Sequence, residues 1–146
     1  MSSLADVLLA PHQRDAVIAD TVQLIESHIS AIGGLKGISL KTGLAMVKAA
    51  KPGIMVRATQ RLLPDFIAAL DPLYQSFRNS TERDFSVFLR KHDRQATAAL
   101  LGIADQRVRQ ASPGVQARYG KMRKLAEDEV RAAVPALAKL IRGYLG

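Results

Sequence analysis

The chain has 146 residues, of which 48% are apolar, and this combination favours one folded domain over a disordered chain. Cysteine is absent, which excludes disulfides, thiolate metal sites and a cysteine nucleophile. The 21 Lys and Arg residues outnumber the 13 Asp and Glu residues, giving a net charge of +8. This excess favours an anionic partner without identifying it.

The N-terminal part of the chain has the apolar spacing of helices. Apolar residues recur every three or four positions over 18–32, while Asp20, Gln23 and Ser27 lie on the opposite side of the same predicted helix. We expect this helix to end at the glycine pair 33–34, because glycine adopts left-handed backbone at low cost.

Prolines lie between or inside the next predicted helices. A second helix is predicted over 38–50 and a third over 54–63. Pro64 either opens a new helix in its first turn or kinks the third one. Pro72 lies inside the apolar stripe that follows, which predicts a kink or a break there.

The C-terminal half is also helical in pattern. Asp84 is a predicted N-cap for a short helix rich in phenylalanine, and another helix follows up to about Gln110. The last apolar stripe covers about 114–144, with Pro135 inside it as a kink or a restart. No segment alternates as a strand would, so we predict an all-α domain over 1–146 with six to eight helices.

No secretory or membrane-spanning segment is evident. The first apolar stretch stops at Pro11, too early for a signal peptide, and no cationic residues precede it. No apolar run approaches the roughly 20 residues that a transmembrane helix needs. We therefore expect a cytoplasmic protein that does not span a membrane, and we leave homo-oligomer formation open.

No pattern typical of a catalytic, cofactor or metal site is found. His12, His28 and His92 have no second His or Glu at metal-ligand spacing on a helix. We interpret His28, beside the apolar stripe, as a hydrogen-bonded histidine at the edge of the core. We expect no catalytic residue, cofactor or metal, although an enzyme of unknown class stays an alternative, since catalytic groups can converge from distant segments.

Residues 94–111 match a helix-turn-helix template in part. Ala98 and Gly102 occupy the positions of its small residue and its turn glycine, and Arg107 and Arg109 would lie on the recognition helix. The template expects an apolar residue where this chain has a threonine, and a cap at the turn that is missing. A single helix with one interior glycine fits equally well, since glycine costs only about 1 kcal/mol there.

The charge excess is concentrated in the last third of the chain, where residues 91–146 contain eleven basic and five acidic residues. Between Asp105 and Glu127 there are six cations and no acid. Three pairs spaced i,i+4 account for part of this charge, namely Arg123–Glu127, Lys124–Asp128 and Glu127–Arg131. The remaining cations form a candidate surface for an acidic protein, a lipid headgroup or a nucleic acid: Arg107, Arg109, Arg118 and Lys121.

Spaced Pro-Asp-Phe and Asp-Pro elements are unusual inside helices. They occur here at 64–66 and 71–72, accompanied by Lys51-Pro52-Gly53-Ile54, Ala99-Leu100-Leu101 and Val134-Pro135-Ala136-Leu137. With these motifs, the chain from about 5 to 142 resembles a family of short, uncharacterised bacterial proteins. The resemblance implies a small helical domain and transfers no catalytic residue. It also argues against the helix-turn-helix.

The sequence supports three functional hypotheses. The leading hypothesis is a non-enzymatic binding or interaction module that uses the basic C-terminal surface. The first alternative is DNA binding through residues 94–111. The second is a carrier of an apolar ligand or lipid, in a cavity that kinks at Pro64, Pro72 and Pro135 would open between the helices.

Overall fold

The chain folds into helices joined by short turns. The computed structural model describes residues 3–145, and within them it contains seven helices and no strand. This confirms the all-α prediction and the expected number of helices. The helices are α1 (Leu4–Leu8), α2 (Arg14–Ala31), α3 (Gly34–Ala50), α4 (Ile54–Arg78), α5 (Phe85–Lys91), α6 (Asp93–Arg109) and α7 (Pro113–Leu145).

The predicted stops at glycine are confirmed. Helix α2 ends at Ala31, and Gly34, the first residue of α3, has a φ of +71°. Helix α3 ends at Ala50, and Gly53 precedes α4 with a φ of +78°. Glycine has no Cβ to oppose these left-handed conformations, so each turn reverses the chain within three residues or fewer.

Side-chain caps fix two short helices. Asp84 accepts a hydrogen bond from the Ser86 backbone N–H at 2.9 Å, which confirms it as the N-cap of α5. Ser3 and Asp6 form a reciprocal capping box at the start of α1. These caps satisfy backbone donors that a helix of five or seven residues would otherwise leave exposed.

Three prolines lie inside helices rather than between them. Helix α4 continues through Pro64 and Pro72, and α7 continues through Pro135. The expectation of a break or restart at these positions is therefore wrong. Each proline removes one backbone hydrogen bond, but buried residues on both sides, such as Leu63 and Ile67 around Pro64, hold the helix against its neighbours. Kinking at the three prolines stays a prediction.

The helix-turn-helix alternative over 94–111 is also wrong, because α6 runs without interruption through Gly102. Its buried face includes Ala96 and Leu101, before the glycine, and continues with the half-buried Ala104 after it. A face that packs on both sides of Gly102 outweighs the small propensity cost of one interior glycine.

Two long helices organise the packing. Helix α7 packs against α5 and α6, whereas α4 packs against α1, α2 and α6. Helix α3 lies on α2 and α4 at the outside. Within residues 3–145, every helix except α3 contributes side chains to one continuous apolar core.

The aromatic residues of the core are gathered at one end. Tyr74 and Phe77, in the last turns of α4, meet Phe85 and Phe88 of α5 with ring centroids 5.3–5.7 Å apart, and the Tyr74 and Phe77 rings lie 6.3 Å from each other. Most of these contacts are edge-to-face, an arrangement that aromatic rings favour. Four of the bulkiest side chains thus lie at the junction of α4 and α5.

Two further points concern membrane crossing and the number of domains. None of the helices in residues 3–145 combines the length and the apolar character that crossing a membrane requires. A single domain over 1–146 stays a prediction, and residues 1, 2 and 146 lie outside the described range.

The packing of α1 predicts an unequal response to the same substitution at two leucines. Leu4 is 0% exposed, and its backbone N–H donates to Asp71 at 2.7 Å, whereas Leu35 on α3 is 86% exposed. We expect Leu4→Ala to lower the free energy of unfolding by about 2–5 kcal/mol. Leu35→Ala should change it by no more than about 0.5 kcal/mol. Urea denaturation measures both, and equal effects would contradict the packing described.

Candidate functional site

An open groove lined by both polar and apolar residues runs between α2 and α7 on the surface of the bundle. Its volume is about 540 Å³. Helix α2 contributes Asp20, Gln23 and Ser27, the polar residues that the sequence places opposite its apolar stripe. Helix α7 contributes the small residues Ala136 and Gly143, which leave space between the two helices.

Tyr144 and Asp20 close one end of this groove. The Tyr144 hydroxyl donates a hydrogen bond to the Asp20 carboxylate, from the last helix to the second. This hydrogen bond, together with partial burial, raises the pKa of Tyr144 to about 12. The phenol therefore stays protonated at neutral pH.

Lys139 supplies the groove with a cation. Its side chain is exposed, and it makes no ion pair within residues 3–145. Gln23 and Ser27 add groups that both donate and accept hydrogen bonds. The groove thus offers hydrogen bonds and one unpaired positive charge to a small polar group.

An apolar cavity of about 250 Å³, partly open to solvent, lies beside the groove among the helices of the bundle. Its walls come from α1, α2, α4, α6 and α7. The lining residues of α4 stand around Pro64, and those of α7 stand around Pro135. Representative lining side chains are Val17, Leu63, Phe66, Leu101, Ala133 and Leu137.

The cavity contains almost no polar chemistry. Thr21 is the one polar residue among those that line it, and its hydroxyl already donates to the Val17 carbonyl at 2.7 Å. No charged side chain lines it. An engineered cavity of roughly 150 Å³ with apolar walls binds benzene, so this larger one has room for a longer apolar group.

Leu24 and Leu140 connect the two spaces. Both residues line the groove and also the apolar cavity. Both are only partly buried. The two spaces therefore adjoin at a pair of leucine side chains, whose rotamers change far faster than the backbone rearranges.

The predicted basic surface is only partly free. Arg107 forms an ion pair with Asp65 of α4, so its expected lack of a partner is wrong. The pair forms because the last turn of α6 packs beside the middle of α4. Arg109, Arg118 and Lys121 are exposed, with no ion pair in the described part of the chain.

Two of the three predicted helical pairs are confirmed. Arg123 meets Glu127 at 3.1 Å, and Lys124 meets Asp128 at 3.2 Å. The third is wrong, because Arg131 instead reaches Asp93 of α6 at 3.0 Å, where it also lowers the pKa of that carboxyl. Helix α7 thus neutralises part of its charge internally and uses Arg131 to bind α6.

Asp105 is the centre of the contact between α6 and the start of α7. It accepts two hydrogen bonds from Arg123, each 3.1 Å long, and one from the Tyr119 hydroxyl at 2.7 Å. These bonds hold the pKa of Asp105 below its ordinary value. Burial, followed by the bond to Asp105, raises the pKa of Tyr119. The cluster positions the exposed cations nearby and offers no free group for chemistry.

The interpretation of His28 is confirmed. Its Nε2 lies 2.8 Å from Glu129 of α7, whose other oxygen is 3.0 Å from Lys36 of α3. The lysine, and then the histidine, hold the pKa of Glu129 below its ordinary value. In residues 3–145 no group of three or more His, Asp or Glu side chains is arranged to hold a metal ion.

Sequence reasoning missed both the cavity and the exposed side of α3. An apolar stripe that lines a cavity has the same spacing as one that fills a core, so periodicity could not separate them. The signal for α3 was present: residues 27–64 contain six cations and no acid. The run is not evident in the net charge of residues 1–50, which is zero, because the acids before residue 27 offset the lysines of α3.

The chain belongs to a family of unknown function, DUF6918, whose match covers residues 4–145. The family resemblance of the sequence is thereby confirmed. No curated protein and no solved structure matches the chain.

The Tyr144–Asp20 hydrogen bond predicts a titration that mutation moves. We expect Asp20→Asn to lower the pKa of Tyr144 from about 12 towards the ordinary value of about 10. A raised folded-state pKa stabilises the protein below pH 10, and this contribution is lost as the pH rises through 12. Tyrosinate absorbance measures the shift, Tyr144→Phe identifies the signal, and an unchanged curve would contradict the contact.

Proposed function

We propose that this protein binds a small amphipathic molecule, with its apolar chain in the central cavity and its polar end in the groove between α2 and α7. The observation that carries this proposal is the position of Leu24 and Leu140, which line both spaces. One ligand that passes between them would meet apolar walls at one end and hydrogen-bonding groups at the other.

The energetics of the cavity support a ligand. The walls of the cavity are apolar, so a ligand gains about 0.8 kcal/mol for each CH₂ group that it buries there. The apolar chain of a ligand gains this free energy when it enters the cavity. Because no lining group seeks a hydrogen bond, water is a poor occupant.

The groove supports an anionic or hydroxyl end group. Lys139 is a cation without an ion pair in the described residues, whereas the Asp20 carboxylate keeps its charge while it accepts from the neutral Tyr144 hydroxyl, so an anionic end group must lie nearer to Lys139 than to Asp20. A carboxylate next to Lys139 would gain a charge-assisted hydrogen bond. A binding module of this kind needs no catalytic residue, cofactor or metal. We place it in the cytoplasm, since a chain without cysteine has no disulfide that would need an oxidising compartment.

Filling the cavity tests the proposal. We expect wild-type protein to bind decanoate, and Ala133→Leu to weaken this binding by about tenfold or more because the new side chain occupies the space of the ligand. Isothermal titration calorimetry measures the affinity. Lys139→Gln should also weaken decanoate binding, because it removes the charge-assisted hydrogen bond to the carboxylate.

The neighbouring Ala132 provides the matched control. It is exposed on the same turn of α7, so Ala132→Leu should leave decanoate binding unchanged. Thermal unfolding should show Ala133→Leu to be at least as stable as the wild type, since it fills empty space. Decanoate binding that survives Ala133→Leu, or no binding by the wild type, would sink the proposal.

We also propose, on a separate observation, an anionic partner for the basic surface at the junction of α6 and α7. Arg118 and Lys121 lie three residues apart, exposed and without ion pairs in residues 3–145, and Arg109 ends the preceding helix. The nature of the partner, whether acidic protein, lipid headgroup or nucleic acid, stays open. DNA recognition by a helix-turn-helix is no longer part of this proposal.

Elution from a heparin column tests this surface. We expect the double variant Arg118→Gln/Lys121→Gln to elute at lower salt than a double variant with the same net charge, Arg83→Gln/Arg90→Gln. The control arginines are exposed and lie on another part of the chain. Equal elution of the two variants would show that only net charge matters, and the surface would lose its support.

A further inference from the structure

Helix α3 has an outward face that is apolar and exposed. Leu35 is 86% exposed, Ile38 61% and Met46 68%. At 3.6 residues per turn these three side chains lie on one side of the helix, together with Ala45 and Ala49. Large apolar residues grouped on the surface in this way mark an interaction site.

The remaining contacts of α3 keep this face outward. The helix rests on α2 and α4 through half-buried Leu40 and Leu44. Lys36 pairs with Glu129 at 3.0 Å, and Lys48 pairs with Glu26 at 2.7 Å. A helix that is apolar on both sides is ordinarily buried on both sides, yet α3 is covered on one side only.

The region around α3 is strongly cationic. Residues 27–64 contain six cations and no acid. Lys36 and Lys48 are paired, whereas the other four are exposed and make no ion pair within residues 3–145. These four cations are Lys41, Lys51, Arg57 and Arg61.

We propose that the outward face of α3 docks on an anionic lipid surface. Leu35, Ile38 and Met46 would enter the boundary between headgroups and acyl chains, while the surrounding lysines and arginines meet lipid phosphates. Long basic side chains suit this position, because their stems lie on apolar surface while their charges reach the headgroups. Lys41 lies at the edge of the apolar stripe, and Lys51, Arg57 and Arg61 follow α3 in the sequence, so this region combines apolar groups and unpaired cations as a helix in a membrane interface does.

Two other occupants of the face are less compatible with these residues. A second copy of the chain would bring two acid-free cationic regions together, which costs electrostatic energy. Protein interfaces concentrate their binding energy in Trp, Tyr and Arg, and α3 contains none of these. A lipid surface needs neither acids on this chain nor aromatic anchors.

This docking goes beyond the proposed function and does not depend on it. Among the described residues, none that lines the cavity belongs to α3. If both hold, the membrane is where the protein takes up or releases its amphipathic ligand. If the cavity binds no ligand, the exposed apolar face of α3 and the nearby cations still support docking on a lipid surface.

Vesicle flotation tests the docking. We expect the full chain to float with vesicles of phosphatidylglycerol and phosphatidylcholine at low salt, and not with vesicles of phosphatidylcholine alone. The double variant Leu35→Ser/Ile38→Ser should bind about tenfold more weakly or worse, because it removes two large apolar groups from the interface. Lys41→Gln/Lys51→Gln should also weaken binding and should reduce its sensitivity to salt.

The chain supplies a matched control for each part. Arg83→Gln/Arg90→Gln removes the same net charge as Lys41→Gln/Lys51→Gln from another exposed part of the chain, so it should float more nearly as the wild type does. Ala133→Leu should also float normally, and Leu35→Ser/Ile38→Ser should bind decanoate normally, so that the two proposals fail separately. Circular dichroism checks that each variant is folded.

Three results would overturn the docking proposal. The first is no flotation with anionic vesicles. The second is flotation that the α3 variants leave unchanged. The third is a wild-type dimer that Leu35→Ser/Ile38→Ser converts to a monomer in the absence of lipid, which sedimentation equilibrium would detect and which would assign the face to a second copy.

Discussion

Large side chains are distributed unevenly in the interior of this bundle, and the candidate site lies where they are absent. The chain has seven aromatic residues and no tryptophan. Four of them pack together where the end of α4 meets α5. The middle of the bundle, where α2, α4, α6 and α7 face one another, is lined by aliphatic side chains with Phe66 as the one aromatic. Alanines at 104 and 133 leave the cavity there.

The long helices keep this space open and also give it an entrance. Packing holds α4 in one piece across Pro64 and Pro72, and α7 across Pro135, so both walls stay continuous although each has lost backbone hydrogen bonds. Helix α7 is fastened to α6 by Arg131–Asp93 and by the cluster around Asp105. On its other side it faces α2 across the groove, where Leu24 and Leu140 line both the groove and the cavity.

Local chemistry was readable from the sequence, whereas contacts between distant segments were not. The glycine turns, the Asp84 cap and the pairing of Arg123 with Glu127 depend on residues within four positions of each other, and each was predicted correctly. His28 was placed at the core edge from its position beside an apolar stripe, although its partner, Glu129, lies 101 residues away and could not be named. Arg107 was expected to be unpaired because Asp65 is 42 residues distant.

The prolines and the cavity mark a second limit of the sequence. Propensity alone makes proline a helix breaker, but tertiary packing on both sides of Pro64 overrides it. The spacing of apolar residues is the same whether other side chains fill the space that they face or leave it empty. The carrier hypothesis therefore stood as an alternative on sequence grounds, and it becomes the leading one once groove and cavity are seen to share two leucines.

The most direct test of the central claim is a crystal structure of the protein under xenon pressure. Xenon occupies apolar cavities that exclude water, without needing a headgroup or a particular chain length. The account predicts a xenon peak between Phe66 of α4 and Leu137 of α7, with Leu24 or Leu140 in an altered rotamer where the gas has entered. A solidly packed interior with no xenon at that position, or ordered water in its place, would contradict it.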